Sequence, residues 1–249
     1  MEIGAGLLEA LTKFSGPATL KDISIRGGMS ASKSHRYLVS LIRSGLVVQE
    51  PDTGRYDLGP MALRMGLAAL RRLDVMRLAA DALPDLKEKT GLTVLLTVWS
   101  DNGPTVIRMM EADRPIVVNV RPGSTLPLLT SAAGRMFLAY LPRSTTQSLV
   151  DCEIETVCSH DPAPSPRDEV DVTALIGQVR AAGMSRIEGD LLPGLCAICA
   201  PIFDYQNDVV AGLALLARQN GLVDSGEGSA PRLLNSVARS ISQKLGYAG

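Results

Sequence analysis

The chain has little of what most catalytic sites need. Only two histidines occur in 249 residues. His35 lies inside a basic helical pattern, so a His-dependent triad or metal hydrolase would have to be built on His160, which sits in a proline-rich stretch. No GxSxG, HExxH, phosphate-loop or Rossmann fingerprint is present. Carboxylates such as Asp101, Glu111, Asp113, Asp151, Glu153 and Glu155 read as scattered surface charges rather than acid–base machinery. These absences point to a protein that is not an enzyme. No apolar run of about 18 residues is available to span a membrane, and MEIGAGLLEA reads as the start of a helix rather than a signal peptide, so a cytoplasmic protein is expected. The four cysteines do not make a disulfide framework. Cys196 and Cys199 head an apolar strand, where positions three apart face opposite ways. With Cys152, Cys158 and His160 they are read as inert residues rather than a zinc site, and no metal or cofactor is expected.

Strong charge is also missing. The whole chain carries a formal net charge of −1, so nonspecific attraction to nucleic acid is modest and strongly salt-dependent. The charge is unevenly spread: residues 1–74 hold 10 Lys and Arg against 7 Asp and Glu, and the remainder holds 15 against 19. At this length and 46% hydrophobic content, two domains are expected, a slightly basic one followed by a slightly acidic one.

What is there is concentrated in MSASKSHRYLVSLIRSGLVVQEPDTGRYDLG, Met29 to Gly59. Ser30 suits an N-cap and Gly45 a left-handed C-terminal stop, giving a helix from about Ala31 to Ser44. At about 100° per residue, Tyr37, Leu38, Leu41 and Ile42 gather on one side, with Ser32, Lys33, Arg36, Ser40 and Arg43 opposite. Basic and hydroxyl side chains on an exposed helix face are the groups that bond phosphates and base edges in a major groove. A shorter helix, about Leu20 to Arg26, precedes it across Gly27-Gly28, and Leu7, Leu8, Leu11 and Phe14 supply a covering helix. That is the arrangement of a helix-turn-helix. LVVQEPDTGRYDL then alternates around Pro51-Asp52-Thr53-Gly54 as a short hairpin, placing Arg55 just past its tip. The candidate DNA contacts are Ser30, Ser32, Lys33, Ser34, Arg36, Tyr37, Ser40 and Arg43 of the helix and Arg55 of the wing.

Beyond the wing, Pro60 opens a helical pattern with Leu63, Leu67 and Leu70 in one stripe, read as a connector whose partner is the first helix or the same helix of a second subunit. A further helix, Val75 to Thr90, carries Pro84 as a kink. From Thr93 the period changes to two, and TVLLTVWS, TVIRMMEA and PIVVNVR read as three antiparallel strands. Helices are expected from about Ser131 to Leu141, Asp168 to Ala182 and Pro231 to Leu245. Strands are expected over Ala197 to Phe203 and Val209 to Ala217, and an extended loop over Ser159 to Asp168. The class is α+β: a winged helix-turn-helix over 1–59, a connector helix over 60–74, and a domain with an antiparallel sheet over 75–249.

Four segments in series, SKSHRYLVSLIRSGLVVQEPDTGRYDLG, LPDLKEKTGLTVLLTV, RPGSTLPLLTSAAGRMFLAYLP and GLCAICAPIFDYQNDVVAGLAL, resemble the IclR family of bacterial transcription regulators across nearly the whole chain. The resemblance implies a GAF-like effector-binding C-terminal domain and a homodimer or homotetramer that binds a palindromic double-stranded operator. It also implies DNA affinity that changes when a small organic or aromatic acid is bound. Ala31 stands where family members often have Lys, and Lys33 where Thr is common, so a different target sequence is implied.

Thr130-Ser131-Ala132-Ala133-Gly134 starts a helix with small residues, leaving backbone N–H groups open to an anion. The competing reading is that Ser131 merely caps the helix. With the resemblance, the expected effector-binding residues are Val118, Leu126, Leu128, Ser131, Ala132, Ala133, Gly134, Ile187, Glu188, Ala197, Ala214 and Leu216. Where some acid-sensing members carry Asp, Cys and Ser, this chain has Ile187, Ala197, Ala214 and Leu216, which implies a more hydrophobic ligand. The alternatives left open are a constitutive DNA-binding protein with an empty pocket and a metal- or redox-dependent sensor.

Overall fold

A computed structural model describes residues 2–70, 75–113, 119–160, 166, 168–218, 221–222 and 229–249. The chain divides into two compact units, Met1–Leu73 and Asp74–Gly249.

In the first unit, α1 (Glu2–Thr12), α2 (Leu20–Arg26) and α3 (Ala31–Arg43) precede the antiparallel pair β1 (Val47–Gln49) and β2 (Tyr56–Leu58), and α4 (Pro60–Leu70) follows. Leu7, Leu11, Ile23, Leu38, Val47 and Tyr56 form the buried core, one or two from each element from α1 through β2. Thr19 caps α2 by accepting the Asp22 N–H at 3.2 Å. Helix α3 ends in paired reversed bonds, Gly45 N–H to Ile42 O and Leu46 N–H to Leu41 O, at 2.9 and 3.0 Å. This closure requires the left-handed conformation that Gly45 adopts at φ 73°. Tyr56 exchanges both backbone hydrogen bonds with Ala18, so the wing is stitched to the segment before α2.

The second unit holds one five-stranded antiparallel sheet in the order β4-β3-β7-β6-β5, formed by β3 (Thr93–Ser100), β4 (Gly103–Met110), β5 (Ser185–Glu188), β6 (Leu195–Phe203) and β7 (Val209–Arg218). Helices α5 (Val75–Thr90) and α9 (Ala230–Lys244) pack against β3, β6 and β7, and α6 (Ala132–Tyr140) against β5, β6 and β7. Helices α7 (Arg143–His160) and α8 (Glu169–Ala182) complete the unit. Strand β6 is buried at every position but the last and β7 at all but two. These two strands therefore read as continuous apolar runs rather than alternating ones.

Three expectations change. An 18-residue helix, α7, occupies a stretch with no expected element, and Ser159 and His160 end it rather than open a loop. Strand β5 was not expected at all. The proposed third strand, PIVVNVR, falls mostly outside the described residues, and Asn119 to Arg121 form no strand. No helix among the described residues is long and apolar enough to cross a membrane.

Candidate functional site

Helix α3 presents two unlike faces. Ser34 and Leu38 are buried, and Tyr37, Leu41 and Ile42 pack on the same core. The opposite side therefore carries Ser32, Arg36 and Arg43, all exposed, with Ser40 exposed and Lys33 half-buried at its borders. Ser30 sits at the N-cap in extended conformation, but its hydroxyl makes no cap bond. His35, not among the expected contacts, is exposed at the edge of this face, its Nδ1 3.3 Å from the buried Tyr56 hydroxyl. The wing is less cationic than its arginine suggests. Arg55 donates from Nη1 to the Pro17 carbonyl at 3.3 Å, and the tip also bears Glu50 and Asp52.

In the second unit, strand register gathers apolar side chains under α6. Leu95 pairs with Ala214, Leu216 with Ala197, and Ala197 in turn with Ile187. Residues directly paired across strands share a face. The first turn of α6 lies over that face, and a cavity closes between them. It is lined by Leu95, Val120, Leu126, Ser131, Ala132, Ala133, Ile187, Leu191, Leu195, Ala197, Ala214 and Leu216. Only about 20 Å³ of it admits the centre of a water molecule, so the walls nearly meet. Among the described residues Ser131 supplies the one polar side chain, and it is occupied. Its hydroxyl donates to Pro127 O at 2.5 Å and accepts the Gly134 N–H at 2.9 Å, so it caps α6 as well as lining the space. What the cavity offers a ligand is shape, apolar surface and the N-terminal backbone of α6.

A larger, open hollow of about 360 Å³ lies behind the same loop, lined by residues including Leu126, Pro127, Thr130 and Glu153. The Glu153 carboxylate accepts the Leu128 and Leu129 N–H groups at 2.6 and 2.8 Å. Burial raises its pKa above the ordinary carboxylate value, with those two bonds pulling the other way.

Two family models match this chain: the bacterial transcriptional regulator IclR C-terminal domain over residues 67–243 and the IclR helix-turn-helix domain over residues 1–51. The chain belongs to the IclR family. Among its relatives, the HTH-type transcriptional repressor AllR of Klebsiella pneumoniae is 27% identical over 249 residues, covering 99% of this chain and 89% of that one. The crystal structure of Pseudomonas aeruginosa HmgR is 38% identical, covers 100% of this chain and 98% of that one, and superposes with a TM-score of 0.85. An IclR homolog from Microbacterium hydrocarbonoxydans, solved in complex with 4-hydroxybenzoate, shares the fold at 20% identity and a TM-score of 0.57, covering 98% of this chain and 97% of that one. A regulator carrying a helix-turn-helix binds DNA, and the relatives compared are regulators rather than enzymes.

Within this IclR-family chain, several expected site residues lie elsewhere. Ser34 is fully buried in α3 and Tyr37 packs on the core, so neither points to a groove. Leu128 belongs to a separate cluster with Leu129, Leu138, Val150 and Val172, because the chain is not an extended strand here but enters a turn at Leu128. Gly134 has no side chain to present and is pressed against the Pro127 and Leu128 carbonyls. Glu188 is exposed, on the face opposite Ile187. Val118 lies outside the described residues. Leu95, Val120, Leu191 and Leu195 were missed; strand pairing, which no single segment encodes, brings in Leu95 and Leu195, and loop segments bring in Val120 and Leu191.

The cysteines Cys196 and Cys199 are buried and reduced. Burial pushes the Cys199 thiol far above its ordinary pKa, which disfavours the reactive thiolate. Among the described residues no group of three or more His, Cys, Asp and Glu is placed to hold a metal ion.

Proposed function

We propose that this chain is a homo-oligomeric, ligand-responsive transcription regulator. In this reading the outer face of α3 reads a double-stranded operator, and an organic acid with an apolar body occupies the cavity under α6. The observation that carries it is the two-sidedness of α3: Ser32, Arg36 and Arg43 stand free in solvent while Ser34 and Leu38 anchor the other side. A helix so placed inserts its cationic side into a major groove without unpacking anything. Support for an oligomer comes from α4, which leaves Leu63 and Met65 65% and 54% exposed. Support for an apolar acid comes from a lining with no charged side chain among the described residues and from the 4-hydroxybenzoate held by the Microbacterium homolog. Ligand occupancy acts by favouring one of two arrangements of the DNA-binding units, with α4 as the link.

The test begins with selection of a duplex from a random pool by the full chain. Arg36→Ala should then weaken binding of the selected duplex by about 1–3 kcal/mol, roughly 5- to 150-fold, with an unchanged melting curve. Undiminished affinity would refute the assigned face. Calorimetry against aromatic and short hydrophilic acids tests the cavity, with tighter binding expected for the aromatic set. A protein whose duplex affinity ignores every acid would instead be a constitutive binder, the reading that the cramped cavity favours.

A further inference from the structure

We propose that Arg135 governs entry to the cavity through a buried ion-pair latch to Asp190, which must release before a ligand can enter. The proposal rests on the cavity being the effector site. Its starting point is a mismatch of size: a water molecule's share of liquid is about 30 Å³, and an aromatic acid needs several times that, so one wall has to move.

The walls differ in how firmly they are held. Strands β3, β6 and β7 are interior to the sheet, each paired on both sides. Helix α6 is fixed by the Ser185 hydroxyl, which donates to Ala132 O at 2.5 Å, and by Gly134, which leaves no gap to the carbonyls beneath it. Two loop walls remain: the segment carrying Val120 and Leu126, which Gly123 N–H to Val106 O and Leu126 N–H to Pro104 O, both at 2.7 Å, tie to β4, and the turn from β5 to β6, which puts Leu191 over the cavity and turns the 42% exposed Leu192 outward. Strand β5 is an edge strand, paired with β6 alone. Local backbone bonds in the turn, Gly189 N–H to Leu195 O at 2.7 Å and Leu195 N–H to Leu192 O at 3.0 Å, do not tie it to α6.

Arg135 does. Its Nη2 donates to Asp190 Oδ1 at 2.5 Å, Nη1 to Arg186 O at 3.2 Å and Nε to Leu129 O at 2.7 Å. Asp190 Oδ2 in turn accepts the Glu188 N–H at 2.8 Å. One guanidinium thus joins the loop that carries Leu126, the strand that carries Ile187 and the turn that carries Leu191. The two side chains are only 9% and 7% exposed. A buried pair of this kind is held by its geometry, and losing one partner strands the other charge, so it favours a closed and an open arrangement over a gradual one. Arg135 is a positioning residue: it does not line the cavity but fixes three segments that do.

Backbone hydrogen exchange on the full chain, comparing wild type with Asp190→Asn and Arg135→Lys, reads the latch with no ligand present. The Glu188, Gly189 and Leu195 amides should exchange about tenfold faster or more in both variants while β3 and β7 amides keep wild-type rates. Should Asp190→Asn fail to fold, Arg135→Lys decides, because it keeps the charge but cannot reach three partners at once. The second readout is stopped-flow association of 4-hydroxybenzoate with Arg135→Lys. Association should speed up by about tenfold with dissociation little changed, so that the apparent dissociation constant falls by about the same factor. Unchanged exchange at those three amides overturns the latch, and so does faster dissociation with unaltered association, the mark of a merely structural role. Raised exchange in a protein that binds no acid of the panel leaves the hold on the wall intact and removes the effector reading instead.

Discussion

Glu153 stands on α7 with both carboxylate oxygens taken by the N–H groups of Leu128 and Leu129, in the loop that walls the cavity. Because its folded pKa is raised, the native state binds its proton more tightly than the unfolded chain does. The contribution of this group to stability is therefore greatest at acid pH and is lost as pH rises from the ordinary carboxylate value through the raised one. In chemical denaturation over that window, the stability of the wild type relative to Glu153→Gln should fall as pH rises. Gly134 poses the opposite case, a residue whose role is to be absent. A Cβ there would overlap the Pro127 and Leu128 carbonyl oxygens, both backbone, so Gly134→Ala should cost about 3 kcal/mol or more in a urea melt. Neither demand shows in the residue types: a Glu among scattered acids and a Gly among small residues say nothing about the loop that will press on them.

Elements differ in how openly the sequence declares them. Helix α3 is plain because its apolar positions keep the helical period and Gly45 ends it, and the wing is plain because a Pro-Asp-Thr-Gly turn separates two alternating runs. Helix α7 is hidden: the residues it buries include Thr146 alongside Val150, with Glu153 partly buried, so the stripe that should betray it is half polar. Strand β5 is four residues long and buries a serine, Ser185, beside Ile187, which erases the alternation. The cavity was legible in one segment alone at Ser131, Ala132 and Ala133, where small residues start a helix; Ile187, Ala197, Ala214 and Leu216 came with the family resemblance, and Leu95 opposite Ala214, which depends on register, was illegible. The joint between α3 and the wing offers a test at this scale. Gly59 donates to Leu46 O at 2.8 Å, and a Cβ on it would overlap the Gly45 carbonyl. Gly59→Ala should lower the thermal midpoint and loosen the hairpin together, seen as faster amide exchange at Glu50, whose N–H donates to Arg55 O at 2.8 Å, with the second unit unaffected.

Over the whole molecule the two units divide the work by chemistry. The first carries the exposed cations of α3, and the second carries buried apolar surface under α6. Met61 and Met65, one turn apart on α4, and Leu63 on another side of it are apolar side chains that stand exposed among the described residues. Leu63→Glu should shift sedimentation toward smaller species and reduce duplex affinity, because each half-site is then held alone. Retained assembly in that variant would move the subunit interface to the second unit. The uncharged lining under α6 also sets what a guest molecule gains by going there. With no side-chain counter-ion among the described lining residues to reward polarity, selectivity among para-alkyl benzoates should follow their oil–water partitioning. Each added methylene would tighten binding by about 0.8 kcal/mol until the chain outgrows the space that the turn can release.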